Sequence, residues 1–182
     1  NLIKHFSGTS LPQDLVDAGM LSERDNGGLY DRFRNRIMIP IRDENGKMAG
    51  FGARIVDPND IPKFLNSPET PIFTKGHLLY GLDRARKPIR AADQAVIVEG
   101  YLDVIALHQA GYENVVSPMG TALTETQVQK MSRLLGPDGH VVLMLDGDRA
   151  GRSATLKDIA LFSQSNLQEV ALFSQREVDV RV

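Results

Sequence analysis

Residues 95–103 read Ala-Val-Ile-Val-Glu-Gly-Tyr-Leu-Asp, and this stretch sets the fold class of the chain. Its first four residues are apolar and mostly β-branched, which favours a short strand buried on both faces over a helix. A second stretch, Val-Val-Leu-Met-Leu-Asp-Gly-Asp at residues 141–148, repeats the pattern. Because both runs are typical of buried parallel strands, we expect an α/β fold.

Each apolar run ends in carboxylates that lie beside a glycine. Glu99 follows the first run, and Asp146 and Asp148 follow the second. Ligands of open α/β sheets bind where the carboxyl ends of the strands lead into their loops. The sequence therefore predicts that these three acids converge at one edge of the sheet.

Converging carboxylates repel one another, and a bound cation relieves that repulsion. We expect Mg²⁺, because it prefers oxygen ligands and is commonly held by one or two carboxylates while it bridges to phosphates. Mn²⁺ is expected to substitute for it. A softer metal is poorly supported, since the chain has no cysteine and its four histidines show no paired spacing.

Composition points to an ordinary globular protein. The chain has 182 residues, of which 42% are hydrophobic, and this is enough for a core. It contains neither an apolar run of about eighteen residues nor a signal-peptide pattern, so we expect no membrane span. The lack of cysteine fits a reducing compartment, which makes the cytoplasm the expected location.

Charge is distributed unevenly along the chain. Residues 32–90 carry 12 Lys and Arg against 6 Asp and Glu, whereas residues 94–182 carry 7 against 11. A basic segment followed by an acidic one suits a protein that attracts phosphates with one part and holds metal with the other. We therefore expect a basic α+β subdomain over residues 1–93 and an α/β domain over residues 94–182.

Three arginines recur at every second position in the basic segment, at Arg32, Arg34 and Arg36. In a strand this spacing would place all three side chains on one face. A solvated strand face is the ordinary explanation of such a triplet, and contact with phosphate is the functional one.

A hairpin is expected after these arginines. Asp-Glu-Asn-Gly at residues 43–46 predicts the turn, and residues 47–56 are the returning strand. Gly50 and Gly52 would weaken that strand unless another group approaches its backbone closely.

An ordered loop is expected over residues 62–70 and 73–82. Its lysines, amide and hydroxyls suit donors to a triphosphate and a sugar, although composition alone favours a surface loop with incidental lysines. Further along, helices are predicted over residues 11–20, 83–92, 101–111, 126–135 and 153–165, with short strands at 115–117 and near 178.

Asp103 falls in the first turn of the predicted helix at 101–111. Two roles remain open for it, a favourable interaction with the helix N-terminus and support of the metal ligands.

Two motifs together resemble the acidic signature of the Toprim domain, which primases, topoisomerases and some nucleases share. They are Glu-Gly-Tyr-Leu-Asp at 99–103 and Asp-Gly-Asp-Arg-Ala-Gly at 146–151. Earlier blocks are similar, in order, to the bacterial DnaG-type DNA primases: Asp-Arg-Phe-Arg-Asn-Arg-Ile-Met-Ile-Pro-Ile-Arg-Asp at 31–43, Gly-Phe-Gly-Ala-Arg at 50–54, Pro-Lys-Phe-Leu-Asn-Ser-Pro-Glu-Thr at 62–70, and Phe-Thr-Lys-Gly at 73–76 with Leu-Tyr-Gly-Leu at 79–82.

The resemblance implies a Rossmann-like Toprim domain with a parallel sheet, preceded by a smaller α+β basic subdomain. It also implies an RNA-polymerase core that makes short RNA primers on single-stranded DNA by two-metal phosphoryl transfer. Glu99, Asp146 and Asp148 would bind metal, with Asp103 in support. Nucleotide or nucleic acid would be bound by Arg32, Arg34, Arg36, Arg54, Lys63, Asn66, Ser67, Lys75 and Tyr101.

The implied partners are a single-stranded DNA template, NTPs and the nascent RNA, and we expect a monomer. Zinc is expected only in an N-terminal domain, and helicase binding only in a C-terminal domain, neither of which this chain contains. A further acidic pair of the family, Asp-Pro-Asp, would follow the chain. We therefore expect a fragment with weak or no synthesis of its own.

Two other functions stay open. A topoisomerase or nuclease built on Toprim is one, although none of the four tyrosines has the context of a nucleophile. A non-catalytic nucleotide-sensing module is the other, and it would prefer one guanine nucleotide over the remaining NTPs.

Overall fold

The computed structural model describes residues 2–120 and 122–145, together with the backbone of residues 169–174. The chain forms two compact units. The first contains residues 1–42 and 47–74, and the second contains residues 43–46 and 75–182. The boundary between residues 93 and 94 that the sequence suggests stays a prediction.

The first unit begins with two short helices and a two-stranded ribbon. They are α1 (Leu2–His5), α2 (Pro12–Asp17), β1 (Leu21–Glu23) and β2 (Leu29–Asp31). Pro12 lies at the start of α2, where its missing N–H costs nothing. Gly19 follows the helix with a φ of +70°, a conformation that suits glycine. The strands β1 and β2 pair in antiparallel orientation on either side of a turn.

A three-stranded antiparallel sheet forms the rest of the first unit. Its strands are β3 (Arg36–Arg42), β4 (Met48–Ile55) and β5 (Phe64–Asn66), in the order β3-β4-β5. The predicted hairpin turn is confirmed, with Gly46 at a φ of +81°. The expectation of a loop over 62–70 is wrong in part, because residues 64–66 pair with β4.

The predicted arginine strand is also corrected. Asn35 has a φ of +49°, which lies outside the extended region and is tolerated by asparagine better than by most residues. Strand β3 therefore starts at Arg36, and Arg32 and Arg34 precede it.

Close packing at Gly50 agrees with the prediction. A Cβ atom at this position would lie 2.6 Å from Cδ2 of Phe73 and 2.8 Å from Oγ of Ser67. The side chains of both neighbours are almost fully buried. Only glycine therefore fits at this point of β4.

The second unit contains a parallel sheet of four strands. They are β6 (Gln94–Val98), β7 (Val115–Val116), β8 (His140–Leu145) and β9 (Glu169–Ser174), in the order β7-β6-β8-β9. The two apolar runs of the sequence are β6 and β8, which confirms the predicted strands and the α/β class. Strand β9 was not predicted from the sequence. The predicted helix at 153–165 and the predicted strand near 178 lie outside the described residues.

Helices cover both faces of this sheet. They are α3 (Leu82–Ala92), α4 (Tyr101–Gln109) and α5 (Glu125–Ser132), and a 3₁₀ turn spans Lys75–His77. Helices α3 and α5 pack with Ala95 and Ile97 on one face, and α4 packs with Val98 on the other. The oxygen of the Thr124 side chain accepts a hydrogen bond from the Gln127 N–H, so Thr124 caps α5.

Among the residues that the structure describes, no helix is long and apolar enough to cross a membrane.

We predict that Gly50→Ala lowers the free energy of unfolding by about 1–3 kcal/mol, because the added methyl group overlaps Phe73 and Ser67. Chemical denaturation measures this loss. Gly28→Ala is the control, since a Cβ atom there meets its nearest neighbour at 3.4 Å and φ is not positive. A loss at Gly50 no larger than at Gly28 would contradict the packing described for β4.

Candidate functional site

The order of strands creates a crevice in the second unit. The chain passes from β6 to β7 on one side and then returns across β6 to β8 on the other. At such a reversal the loops that leave the two central strands diverge, and ligands bind between them at the carboxyl ends. Val98 pairs with Met144, so β6 and β8 end side by side and Glu99 lies at this crevice.

The backbone of Glu99 is held by the loop that follows β7. The Ser117 hydroxyl donates a hydrogen bond of 2.7 Å to the Glu99 carbonyl oxygen, and the Gly120 N–H donates one of 2.9 Å to the same atom. Ser117 is fully buried and also accepts a bond from the Met119 N–H. The Glu99 residue itself is half-buried. This loop therefore fixes the backbone from which the Glu99 side chain extends.

The other two predicted ligands, Asp146 and Asp148, lie outside the described residues. In the sequence they follow Leu145, which is the last residue of β8. Within residues 2–120 and 122–145, no three acidic or histidine side chains gather closely enough to hold a metal. Glu99 supplies an oxygen ligand that fits a hard cation, and the three-acid site stays a prediction.

Asp103 has a defined structural role. Its Oδ2 atom accepts a hydrogen bond of 3.0 Å from the N–H of Gly100, the residue that precedes α4. A carboxylate in the first turn also interacts favourably with the helix dipole. Asp103 thereby fixes the backbone next to Glu99, and its support of metal stays a prediction.

Tyr101 is only 4% exposed, and its ring packs against the ring of Tyr80 with centroids 5.7 Å apart. Burial raises the pKa of the Tyr80 hydroxyl, so that hydroxyl stays neutral at physiological pH. The Tyr101 ring is therefore not exposed for stacking, and its predicted contact with nucleotide stays a prediction.

The three predicted arginines of the first unit meet in one concavity, although they do not share a strand. This arginine pocket has a volume of about 350 Å³. Its lining consists of Ser22, Tyr30, Arg32, Arg34, Asn35, Arg36, Asp60, Ile61, Pro62 and Leu65. Three guanidinium groups against one carboxylate would favour an anion there.

Arg32 forms the floor of the arginine pocket. Its Nη2 atom donates to the Asn66 carbonyl at 3.1 Å, and its Nη1 atom donates to the Ser22 hydroxyl at 3.4 Å. Burial lowers the pKa of Arg32 from its ordinary value. Among the described residues, neither its Nε atom nor the Oδ1 atom of Asn66, both buried, has a hydrogen-bond partner. Buried polar atoms without partners are uncommon and costly, so both are candidates for contact with a ligand.

The rim of the arginine pocket carries an aromatic ring between cations. The guanidinium of Arg34 lies 4.8 Å from the centre of the Tyr30 ring, and that of Arg24 lies 5.2 Å from it. Arg36 instead donates to the Pro62 carbonyl at 2.7 Å. Arg34 is exposed and is therefore the most accessible arginine of the pocket.

A second aromatic ring is flanked by predicted binding residues. Phe64 is 44% exposed, and its ring centre lies 5.5 Å from the Arg54 guanidinium and 5.8 Å from the Lys63 ammonium. An exposed ring with cations beside it can stack a nucleic-acid base. Tyr30 and Phe64 were not among the predicted binding residues. Aromatic residues interleaved with basic ones in the sequence could have indicated both.

The remaining predicted binding residues differ in accessibility. Ser67 is 6% exposed, and its hydroxyl accepts a hydrogen bond from the Phe51 N–H at 2.9 Å, so its visible role is in the fold. Lys75 lies in the second unit, where the side chain of Gln127 donates to its carbonyl oxygen.

Family models match almost the whole chain. The DNA primase catalytic core, N-terminal domain, matches residues 1–86, and the Toprim domain matches residues 93–171. A DNA primase of Pseudomonas putida is 46% identical over 171 residues. The chain belongs to the DnaG-type DNA primase family. The Toprim match also confirms the predicted fold of the second unit.

Solved primases share this fold. A DNA primase domain from Pseudomonas aeruginosa is 42% identical, with a TM-score of 0.84 over 97% of this chain and 56% of that one. A DnaG primase catalytic domain bound to single-stranded DNA is 41% identical, with a TM-score of 0.82 and coverages of 97% and 56%. The match to the Pseudomonas putida protein covers 93% of this chain and 25% of that relative.

We predict that Asp103 supports the metal ligands by fixing the backbone of Gly100, without contacting the metal itself. Asp103→Ala should lower the free energy of unfolding by about 0.5–2 kcal/mol because the cap is lost. Asp103→Asn keeps an oxygen that can accept the same bond and should leave both stability and Mn²⁺ affinity nearly unchanged. Thermal unfolding and titration with Mn²⁺ followed by electron paramagnetic resonance measure both quantities. A tenfold weaker Mn²⁺ affinity in Asp103→Asn, with stability unchanged, would instead place Asp103 at the metal.

Proposed function

We propose that the chain serves in the catalytic core of a DNA primase, which joins ribonucleotides into short RNA primers on single-stranded DNA. The observation that carries this proposal is the position of Glu99. It lies at the strand reversal of a Toprim sheet, beside the end of β8, and the next acids in the sequence are Asp146 and Asp148. Family membership supports the same reaction class, that of a nucleotidyltransferase.

Mg²⁺ would be held by Glu99, Asp146 and Asp148, and when bound it would neutralise phosphate charge and help to activate the primer hydroxyl. The chain's own residues supply the positioning. Ser117 and Gly120 hold the carbonyl of Glu99, and Asp103 holds the adjacent Gly100. These bonds fix the backbone that carries the Glu99 carboxylate, which would favour accurate positioning of the ion and the reacting phosphate.

Nucleic acid would be bound chiefly by the first unit. Guanidinium groups of the arginine pocket suit backbone phosphates, and Phe64 with Lys63 and Arg54 suits a stacked base. The relative solved with single-stranded DNA supports this assignment. Incoming NTPs and the nascent RNA present the same phosphate chemistry, and Lys75 is proposed to contact them from the second unit.

The alternative functions have less support. A topoisomerase needs an accessible nucleophilic tyrosine, and Tyr101, the tyrosine nearest to Glu99 in sequence, is buried. The family match favours a primase over a nucleotide sensor. We propose in addition that the protein is a cytoplasmic monomer. Zinc would be bound by a further N-terminal domain, and the helicase by a further C-terminal domain.

We predict that the chain, incubated with a single-stranded DNA template, four NTPs and Mg²⁺, yields short RNA even if at low rate, and that Glu99→Gln abolishes it. Glutamine keeps the shape of the side chain and the backbone contacts but loses the charge. Mn²⁺ affinity should fall by at least about tenfold, since a carboxylate ligand is lost. Gel analysis of labelled RNA and Mn²⁺ titration measure the two effects.

The control is Glu113→Gln, which removes an exposed carboxylate before β7, at the opposite end of that strand from its carboxyl end. It should leave synthesis and Mn²⁺ affinity unchanged. Synthesis that persists in Glu99→Gln would remove Glu99 from the site. Mg²⁺-dependent cleavage of supercoiled DNA, with no RNA made, would favour a nuclease or topoisomerase.

We also predict that Phe64→Ala weakens binding of single-stranded DNA by roughly tenfold, because stacking of one base contributes about 1–3 kcal/mol. Fluorescence anisotropy with a labelled oligonucleotide measures the change. Tyr112→Ala is the matched control, since the Tyr112 side chain is 62% exposed and no cation of the described residues lies over its ring. Equal losses in the two variants would show that Phe64 has no special role.

A further inference from the structure

A second basic concavity lies in the second unit and contains none of the predicted site residues. It has a volume of about 230 Å³. Its lining consists of Glu44, Leu82, Arg86, Arg90, Lys130, Arg133 and Leu134. We name it the helix-pair pocket, because all of these residues except Glu44 come from α3, from the last turn of α5 or from the two residues that follow α5.

Helix geometry directs the cations into this pocket. Leu82, Arg86 and Arg90 follow one another at intervals of four residues and so share one face of α3. Leu82 belongs to the apolar core, and Leu134, next to Arg133 at the end of α5, packs against that core. The leucines therefore anchor the base of the pocket and leave the cationic groups around it.

Two of the cations are held in place by Glu44. Arg86 donates a hydrogen bond of 2.9 Å to the Glu44 carbonyl oxygen, and Lys130 forms an ion pair of 2.9 Å with the Glu44 carboxylate. The bond from Lys130 lowers the pKa of Glu44, so this carboxylate is ionised at neutral pH. Arg90 and Arg133 are exposed. Four cations against one carboxylate leave a local excess of three positive charges.

Helix termini explain only part of this arrangement. Arg90 and Lys130 lie in the last turns of their helices, where basic residues interact favourably with the dipole. That effect does not require side chains from two helices to line one concavity, and Arg86 lies in the middle of α3. Cations crowded in this way repel one another, and an anion would relieve the repulsion.

We propose that the helix-pair pocket binds a backbone phosphate of a nucleic-acid strand, without regard to base sequence. Guanidinium groups match phosphate oxygens in a bidentate geometry that an ammonium cannot provide. The pocket is smaller than the roughly 300 Å³ at which sites for whole small-molecule ligands begin. It therefore takes a phosphate while the sugar and base remain outside. This inference rests on the proposed binding of single-stranded DNA and adds to it a contact made by the second unit.

The test is the affinity of the chain for a fluorescein-labelled 30-nucleotide oligodeoxythymidylate, measured by anisotropy over a range of NaCl concentrations. The double variant Arg90→Gln with Arg133→Gln should bind about five- to tenfold more weakly. The slope of log affinity against log salt should become shallower by about 0.7, as expected when one phosphate contact to a single strand is lost.

The matched control is Arg84→Gln with Lys87→Gln, which removes the same charge from exposed positions of α3 that do not line the pocket. It should change affinity less than twofold. A loss equal to that of the pocket variant would reduce the effect to overall charge and overturn the proposal. Thermal unfolding of both variants checks that each is folded.

Three further outcomes would also overturn the proposal. If Phe64→Ala weakens binding but the pocket variant does not, the pocket has no part in it and the proposed function still stands. If the unsubstituted chain does not bind the oligonucleotide, both fail. Poly-L-glutamate at equal charge concentration should not displace the oligonucleotide from the unsubstituted chain, and a full displacement that is lost in the pocket variant would assign the pocket to an acidic peptide.

Discussion

The parallel pairing of β6 with β8 is the constraint on which the second unit depends. Five residues of β6 pair in register with β8, and both strands are covered by helices on their two faces. Because the two strands are parallel, they end at the same edge of the sheet. Their register is fixed as well, since a one-residue slip would move every side chain to the opposite face. Glu99 thereby comes to lie beside the end of β8, and a single backbone register places the first predicted ligand.

The two units use charge differently. In the first unit, arginines line a concavity with aromatic residues at its rim, which suits an extended polyanion held by many weak contacts. In the second, hydrogen bonds from Ser117 and Gly120 fix the main-chain carbonyl of Glu99 at a sheet edge, and a carboxylate carried by such a backbone suits a single ion held in a defined position. The proposed function joins these two chemistries in one reaction, the polymerisation of nucleotides.

The elements that depend on burial and turn chemistry could be predicted from the sequence. The elements that form only by pairing with a distant strand could not. Strands β6 and β8 were evident because burial on both faces leaves an uninterrupted apolar run. Strand β5 was not, since its three residues become a strand only by pairing with β4. The left-handed conformation of Asn35 broke an apparent arginine strand, yet the same three arginines still met in one pocket. Phe64 was not predicted as a binding residue, because the exposure of its ring follows from the packing of β5 and not from the local sequence.

If a divalent ion binds where β6 and β8 end, anomalous scattering from crystals of the chain soaked in Mn²⁺ should locate it there. We expect a peak within about 2.2 Å of a Glu99 carboxylate oxygen, at the distance expected of a Mn²⁺ or Mg²⁺ ligand. Peaks found only elsewhere, or none at a concentration that saturates Mn²⁺ binding in solution, would contradict it.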